Sequence, residues 1–242
     1  MKNNTRQLYT NLYNETDDGA WDVYPRPSLI RDRWLNLNGT WEFSGQGKED
    51  KAFITGTIRV PFCPESPLSG IGHKDFINAL WYHRSISIPQ SWSGKHVILH
   101  FGGVDYKSQI FIDGKPVFTH YGGAASFDVD ITQYVSIGNN SDLVIYVEDD
   151  VRSQLQPGGK QSRRLNSYEC FYTRVTGIWS TVWLEPVAKG GLKKVRVTPD
   201  LDNSQFVLEP VFYETDGSKT LTVTIRDGSK TVWHGETKAS NN

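Results

Sequence analysis

From Thr181 to Pro186 the chain alternates strictly, with Thr181, Trp183 and Glu185 on one side and Val182, Leu184 and Pro186 on the other. A period of two, rich in β-branched and aromatic residues, reads as a strand buried on at least one face. Just upstream, Gly177 sits between Thr176 and Ile178, a place for a bulge or sharp bend. The same period recurs along the chain. Tyr82, Arg84, Ile86 and Ile88 oppose Trp81, His83, Ser85 and Ser87, while Val97, Leu99 and Phe101 alternate with Ile98 and His100. Leu143, Ile145 and Val147 alternate into the acidic end Glu148-Asp149-Asp150. Gln109–Ile112 and Lys115–His120 flank Asp113-Gly114, a pair suited to a type I′ hairpin turn. No long segment carries a helical period. Many short strands separated by turn residues predict an all-β sandwich.

Some local expectations follow. Arg84 shares a face with apolar residues, so it must reach the sheet edge or find a carboxylate. Gly45 to Asp50 reads as a charged loop. Asp130 to Gln133 fits a cap for one short helical turn ending near Val135. The eight tryptophans suit bulky cores and stacking on apolar ligand faces, with most of them expected in the core. Residues 1–20 are polar and read as an N-terminal arm. After Val187, Lys189-Gly190-Gly191 forms a linker. Four strand-like runs follow (192–198, 206–214, 221–226 and 230–236), with Asp227-Gly228 as a hairpin turn.

The formal net charge of −1 gives no global field toward nucleic acid or an anionic membrane. The first 19 residues hold no apolar run, so neither a signal peptide nor a membrane span is expected and the predicted location is cytoplasmic. In that reducing setting Cys63 and Cys170 are expected as free, mostly buried thiols. Without CxxC or CxH spacing they make a weak case for zinc, and no metal or cofactor is predicted. Dinucleotide and phosphate loops are absent, as is a GxSxG elbow. Gly122-Gly123 and Gly158-Gly159 read as ordinary tight turns.

The segments YPRPSLIRDRWLNLNGTWEF (24–43), VPFCPESPLSGI (60–71), LWYHRSISIP (80–89), FGGVDYKSQIFIDGKPVFTHYGGAASFDVDITQYV (101–135) and YTRVTGIWSTVWLE (172–185) resemble, in order, the N-terminal sugar-binding domain of glycoside hydrolase family 2. That family includes β-galactosidases, β-glucuronidases and β-mannosidases. The resemblance implies a jelly-roll sandwich over residues 21–187 and, over 188–242, the first half of an immunoglobulin-like sandwich, which normally has about seven strands. It also implies a role in hydrolysing β-linked saccharides. Retaining hydrolysis needs two carboxyls about 5 Å apart. In this family both belong to a barrel of about 250 residues that follows the immunoglobulin-like domain, so no catalytic residue is expected here. The chain then shapes the sugar site, binds saccharide weakly by itself, and has the catalytic barrel and a homo-oligomer as expected partners; the alternative is a free-standing carbohydrate-binding module or a structural assembly domain.

The family's sugar contacts, carried onto this sequence, fall on Asp149 and Arg174, with Tyr172 as a stacking residue. Some relatives carry an acid six residues before the glycine, where this chain has Phe171, with Glu169 the nearest carboxylate. Each position has a plainer alternative. Arg174 can stack on an aromatic ring and bond loop carbonyls. Asp149 can cap a turn or pair with Arg152, and Tyr172 can be core. His73 and Asp75 line a pocket or stand solvated in their loop.

Overall fold

A computed structural model describes residues 21–31, 33–215 and 217–240. The expected arm over residues 1–20 lies outside the described residues. Two compact units are present, one reaching Ser93 and resuming over Val97–Glu185, the other combining Gly94–His96 with Pro186–Asn242.

The first unit is a sandwich of β1 (Leu35–Asn36), β2 (Gly39–Gly47), β3 (Phe53–Val60), β4 (Ile77–Ser87), β5 (His96–Phe101), β6 (Val104–Asp105), β7 (Lys107–Ile112), β8 (Lys115–Tyr121), β9 (Phe127–Asp130), β10 (Asn140–Glu148), β11 (Gly177–Ile178) and β12 (Val182–Val187). One sheet has the order β3-β2-β4-β10-β7-β8 and the other β1-β12-β5-β9, with β11 paired to β6 apart from both. The alternation seen in the sequence fills the core. Leu80, Tyr82 and Ile86 from β4, and Leu143, Ile145 and Val147 from β10, are all buried. Each such aliphatic side chain contributes about 1.5–3 kcal/mol on burial. The Asp113-Gly114 turn forms as expected, both residues at positive φ (48° and 75°).

Four local expectations are corrected. The β2 strand runs on through Gly45 to Gly47 before the chain turns, because Gly45 pairs with both Ile54 and Leu80. Arg84 meets neither an edge nor a carboxylate. Its Nη1 donates to the carbonyls of Leu37 (2.6 Å) and Asn38 (2.9 Å), and its guanidinium lies 5.7 Å from the Trp41 ring centre. Residues 131–135 make a turn rather than a helix. Asp130 Oδ1 still accepts from the amide of Thr132 at its start. Of the eight tryptophans only Trp41, Trp92 and Trp183 are buried.

On β12 the alternation places Glu185 in full burial. Its carboxylate accepts from Tyr24 Oη at 2.5 Å, ion pairs reach it from Arg26 (3.3 Å) and Arg31 (3.6 Å), and His100 Nε2 lies 3.1 Å away. The segment at residues 24–31, which turns at 27–28 with Leu29 N donating to Arg26 O, is thereby held to β12.

The second unit contains β13 (Leu192–Asp200), β14 (Gln205–Phe212), β15 (Thr220–Asp227) and β16 (Lys230–Lys238), paired as two hairpins. Val197, Phe206, Val207, Val232 and Trp233 are open to solvent.

Candidate functional site

The long segment between β10 and β11, residues 149–176, gathers the sequence-predicted positions. Asp149 directly follows β10, its amide donating to Asn78 O at 3.0 Å. Only 4% of the residue is exposed. Oδ1 accepts from Gln156 Nε2 at 2.6 Å, while Oδ2 is buried without a hydrogen-bond partner. Burial, and then the negative charge of Asp105, push its carboxyl up to about 7. Asp149 therefore neither caps a turn nor pairs with Arg152, whose guanidinium bonds Glu49.

Arg174 is 2% exposed. Its Nη1 donates to the carbonyls of Ser162 (3.2 Å) and Arg164 (2.6 Å), and Nη2 to that of Lys74. The guanidinium lies 3.9 Å from the Phe76 ring centre. A planar cation with several donors suits this clamp on loop carbonyls. Tyr172, by contrast, is 66% exposed. Its backbone is fixed by Tyr172 N→Lys160 O (2.8 Å) and Ser162 N→Tyr172 O (2.7 Å), while its side chain stands in solvent outside the lining of the pocket that Trp179 walls. Cys170 is exposed rather than buried. Cys63 is the more enclosed thiol, and desolvation pushes it up to about 12.

Several residues that the sequence did not single out complete the site. Asp105 is buried, accepts from Gln161 Nε2 at 2.7 Å and leaves Oδ1 unpartnered. Burial raises its carboxyl. Gln161 also accepts from Val175 N at 2.9 Å, so one amide ties the loop to both β6 and the approach to β11. Glu65 accepts from Thr176 Oγ1 (2.6 Å) and its amide (3.3 Å), and desolvation raises its carboxyl too. Gly177 adopts φ 74°, and an added Cβ would stand 2.3 Å from Tyr82 Oη, which accepts from Ile178 N at 3.1 Å. The bend anticipated there thus needs glycine for both conformation and space. Gly123 is not an ordinary turn residue either, because a Cβ on it would lie 2.3 Å from Asp105 Oδ1.

Beside these groups a pocket of about 610 Å³ is walled by Tyr106, Gly123, Pro157, Gln161, Val175 and Trp179. Trp179 Nε1 donates to Gly123 O at 2.7 Å, fixing the indole in its wall. A second recess of about 440 Å³, lined by Asp149 with Tyr106, Tyr121, Tyr146 and Gln156, lies on the other side of Tyr106. Aromatic walls with a few fixed polar groups are the usual makeup of a small-molecule site. Asp105 and Asp149 are a buried acid pair, Asp105 at the first pocket and Asp149 at the second recess, each tied to the loop by a glutamine, Gln161 and Gln156 respectively. These bonds hold the loop, and burial raises both carboxyls above the ordinary carboxylate value. Elsewhere, Asp50, His73 and Asp75 bring one ligand atom each within 4.8 Å of one another. Asp75 Oδ2 already accepts from the amides of Glu49 and Asp50.

Residues 67–185 match the family model described as "Glycosyl hydrolases family 2, sugar binding domain". Among curated relatives, a β-glucuronidase of Paenibacillus borealis is 27% identical over 147 residues, covering 57% of this chain and 24% of that protein. A β-galactosidase of Thermoanaerobacter pseudethanolicus is 29% identical over 174 residues, covering 69% and 22%. The chain thus aligns with roughly a quarter of the length of these relatives. Among solved structures, β-glucuronidase from Ruminococcus gnavus in complex with D-glucaro-d-lactam aligns over 90% of this chain and 40% of its own, with TM-score 0.66 and 17% identity. Faecalibacterium prausnitzii β-glucuronidase gives 0.63 at 20% identity, over 90% and 41%. At these identities the structural likeness establishes the fold.

Proposed function

Since residues 67–185 form a sugar binding domain of glycosyl hydrolases family 2, we propose that this chain is the non-catalytic N-terminal portion of a β-glycosidase and forms one wall of its sugar site. The observation that carries this reading is the 610 Å³ pocket, walled by Tyr106 and Trp179 at the place where the 149–176 segment converges. The three positions carried over from the family divide the work. Tyr172 offers its exposed ring to the sugar. Asp149 and Arg174 act from behind, fixing Gln156 and the 162–164 carbonyls so that the wall keeps its shape. The saccharide is β-linked, in keeping with relatives named for β-glucuronides and β-galactosides. Acid and nucleophile come from another part of the enzyme.

Isothermal titration with glucuronate, galactose and mannose tests this. At least one sugar binds with a millimolar dissociation constant, because a single wall supplies few of the polar contacts, and Trp179→Ala abolishes the heat. Micromolar affinity would replace the reading with a self-sufficient carbohydrate-binding module. Absence of heat with all three sugars at concentrations well above millimolar would refute it.

A further inference from the structure

The outer face of the six-stranded sheet carries a second aromatic cluster, on strands rather than on the 149–176 segment. Trp81 on β4 is 45% exposed, and its ring centre lies 4.4 Å from that of its cross-strand partner Tyr146, at an interplanar angle of 38°. Phe111 on β7 lies 6.3 Å from Trp81. Polar groups stand around the indole. Ser44 pairs across from Trp81, and Glu42 pairs across from His83. The His83 ring is bracketed between Glu42 (Nδ1 to Oε2, 2.9 Å) and Asp142 (Nε2 to Oδ1, 3.3 Å). The bond from Glu42 raises the imidazole's affinity for a proton. A depression of about 300 Å³ lies between Glu42, Ser44, Trp81, His83 and Val144.

We propose that this face is a second saccharide contact, holding one pyranose unit of a β-linked glycan against Trp81. The equatorial hydroxyls of that unit would meet Glu42 and Ser44. A pyranose presents a flat face of C–H groups bordered by hydroxyls, and its complement is one exposed aromatic ring bordered by fixed hydrogen-bonding side chains. Bracketed by two carboxylates, His83 holds Glu42 and Asp142 in place before any ligand arrives, which lowers the ordering cost of binding. The face suits a sugar better than a protein partner. Stable protein interfaces bury about 1,200 Å² or more around an apolar centre. Here the apolar part is a few rings wide and gives way to the exposed hydroxyl residues Thr40, Thr55, Thr57 and Ser85. This site does not depend on the loop-end reading, since none of Glu42, Ser44, Trp81 and His83 lines the pocket under Trp179.

The test is a nuclear magnetic resonance titration of the full 242-residue chain with cellopentaose, xylopentaose, β-1,4-mannopentaose and β-1,4-galactotetraose, following the tryptophan indole N–H signals. The expected result is a saturable shift of the Trp81 signal with at least one of them. Trp81→Ala should weaken binding by about tenfold or more, and Glu42→Gln should weaken it several-fold with the fold intact. Trp179→Ala should leave it unchanged, so the two sites can fail separately. Two outcomes would overturn the proposal: a Trp81 signal that none of the four glycans moves, or one that moves only with protein concentration while sedimentation reports a dimer.

Discussion

Replacing Asp149 with asparagine should change how stability depends on pH more than it changes stability itself. The carboxyl moves from 3.8 to about 7 on folding. An acid raised in the folded state keeps its proton there after the unfolded chain has lost it, so this group costs stability as pH climbs from about 4 to 7. At about 1.4 kcal/mol for each tenfold change, the ceiling is about 4 kcal/mol. Local relaxation brings an expected value nearer 2 kcal/mol. Asparagine retains the Oδ1 that accepts from Gln156, but it puts an amide N–H where Oδ2 stood unpartnered, a pH-independent cost of about 1–3 kcal/mol. The signature is therefore in the slope. Urea unfolding followed by tryptophan fluorescence, repeated from pH 4.5 to 8.5, should show the wild type losing stability relative to Asp149→Asn across that window. Asp105 and Glu65, also raised by burial, leave the variant a shallower fall of the same sign. Parallel profiles for the two proteins would refute the reasoning, because Asp149 would then titrate as it does in the unfolded chain.

Glu185 should behave with the opposite sign. Burial alone would raise its carboxyl, but the hydrogen bonds from His100 and Tyr24 prevail and hold it below the ordinary value. Its contribution is present above about pH 4.5 and lost as pH falls, so Glu185→Gln should cost about 3 kcal/mol at pH 7 and flatten the acid limb of the same unfolding profile. Arg174→Met removes the donors to three loop carbonyls and replaces the guanidinium over Phe76 with a thioether chain of similar length. A loss of about 3 kcal/mol, read by thermal unfolding, is expected together with faster amide exchange at residues 162–164. Gly123→Ala drives a Cβ against the Asp105 carboxylate and should cost about 1–3 kcal/mol. Gly158→Ala, with nothing within 4 Å, should leave the melting temperature unchanged.

The strands were legible because a period of two is local information, and in β4 and β10 the apolar phase alone decides which side faces the core. Gly45–Gly47 was not legible, since a Gly-Gln-Gly strand end is held by its partners Ile54, Leu80 and Ile77 rather than by its own side chains. For the exposed tryptophans it is composition that misleads. Trp81 falls in phase with His83, Ser85 and Ser87 on the polar side of β4, so the alternation turns it outward even though an indole by composition reads as core. Asp149, Arg174 and Tyr172 were put forward only through resemblance, and the plainer reading of Arg174, a ring stack plus loop carbonyls, describes its contacts. Asp105, Glu65 and Gln161 escaped because their bonds span 56 residues (Gln161 to Asp105) and 111 residues (Thr176 to Glu65), and no local pattern announces them. Gly123 escaped for the same reason, its close neighbour being a carboxylate from another strand.

The central claim is that this chain shapes a sugar site without performing the chemistry. Its most direct test is turnover of chromogenic β-glucuronide, β-galactoside and β-mannoside by the repurified chain, alongside Asp149→Asn. The account predicts that both proteins release chromophore at the rate of buffer. Turnover that survives repurification and disappears in Asp149→Asn would contradict it, by showing that the buried acid pair reaches the glycosidic bond.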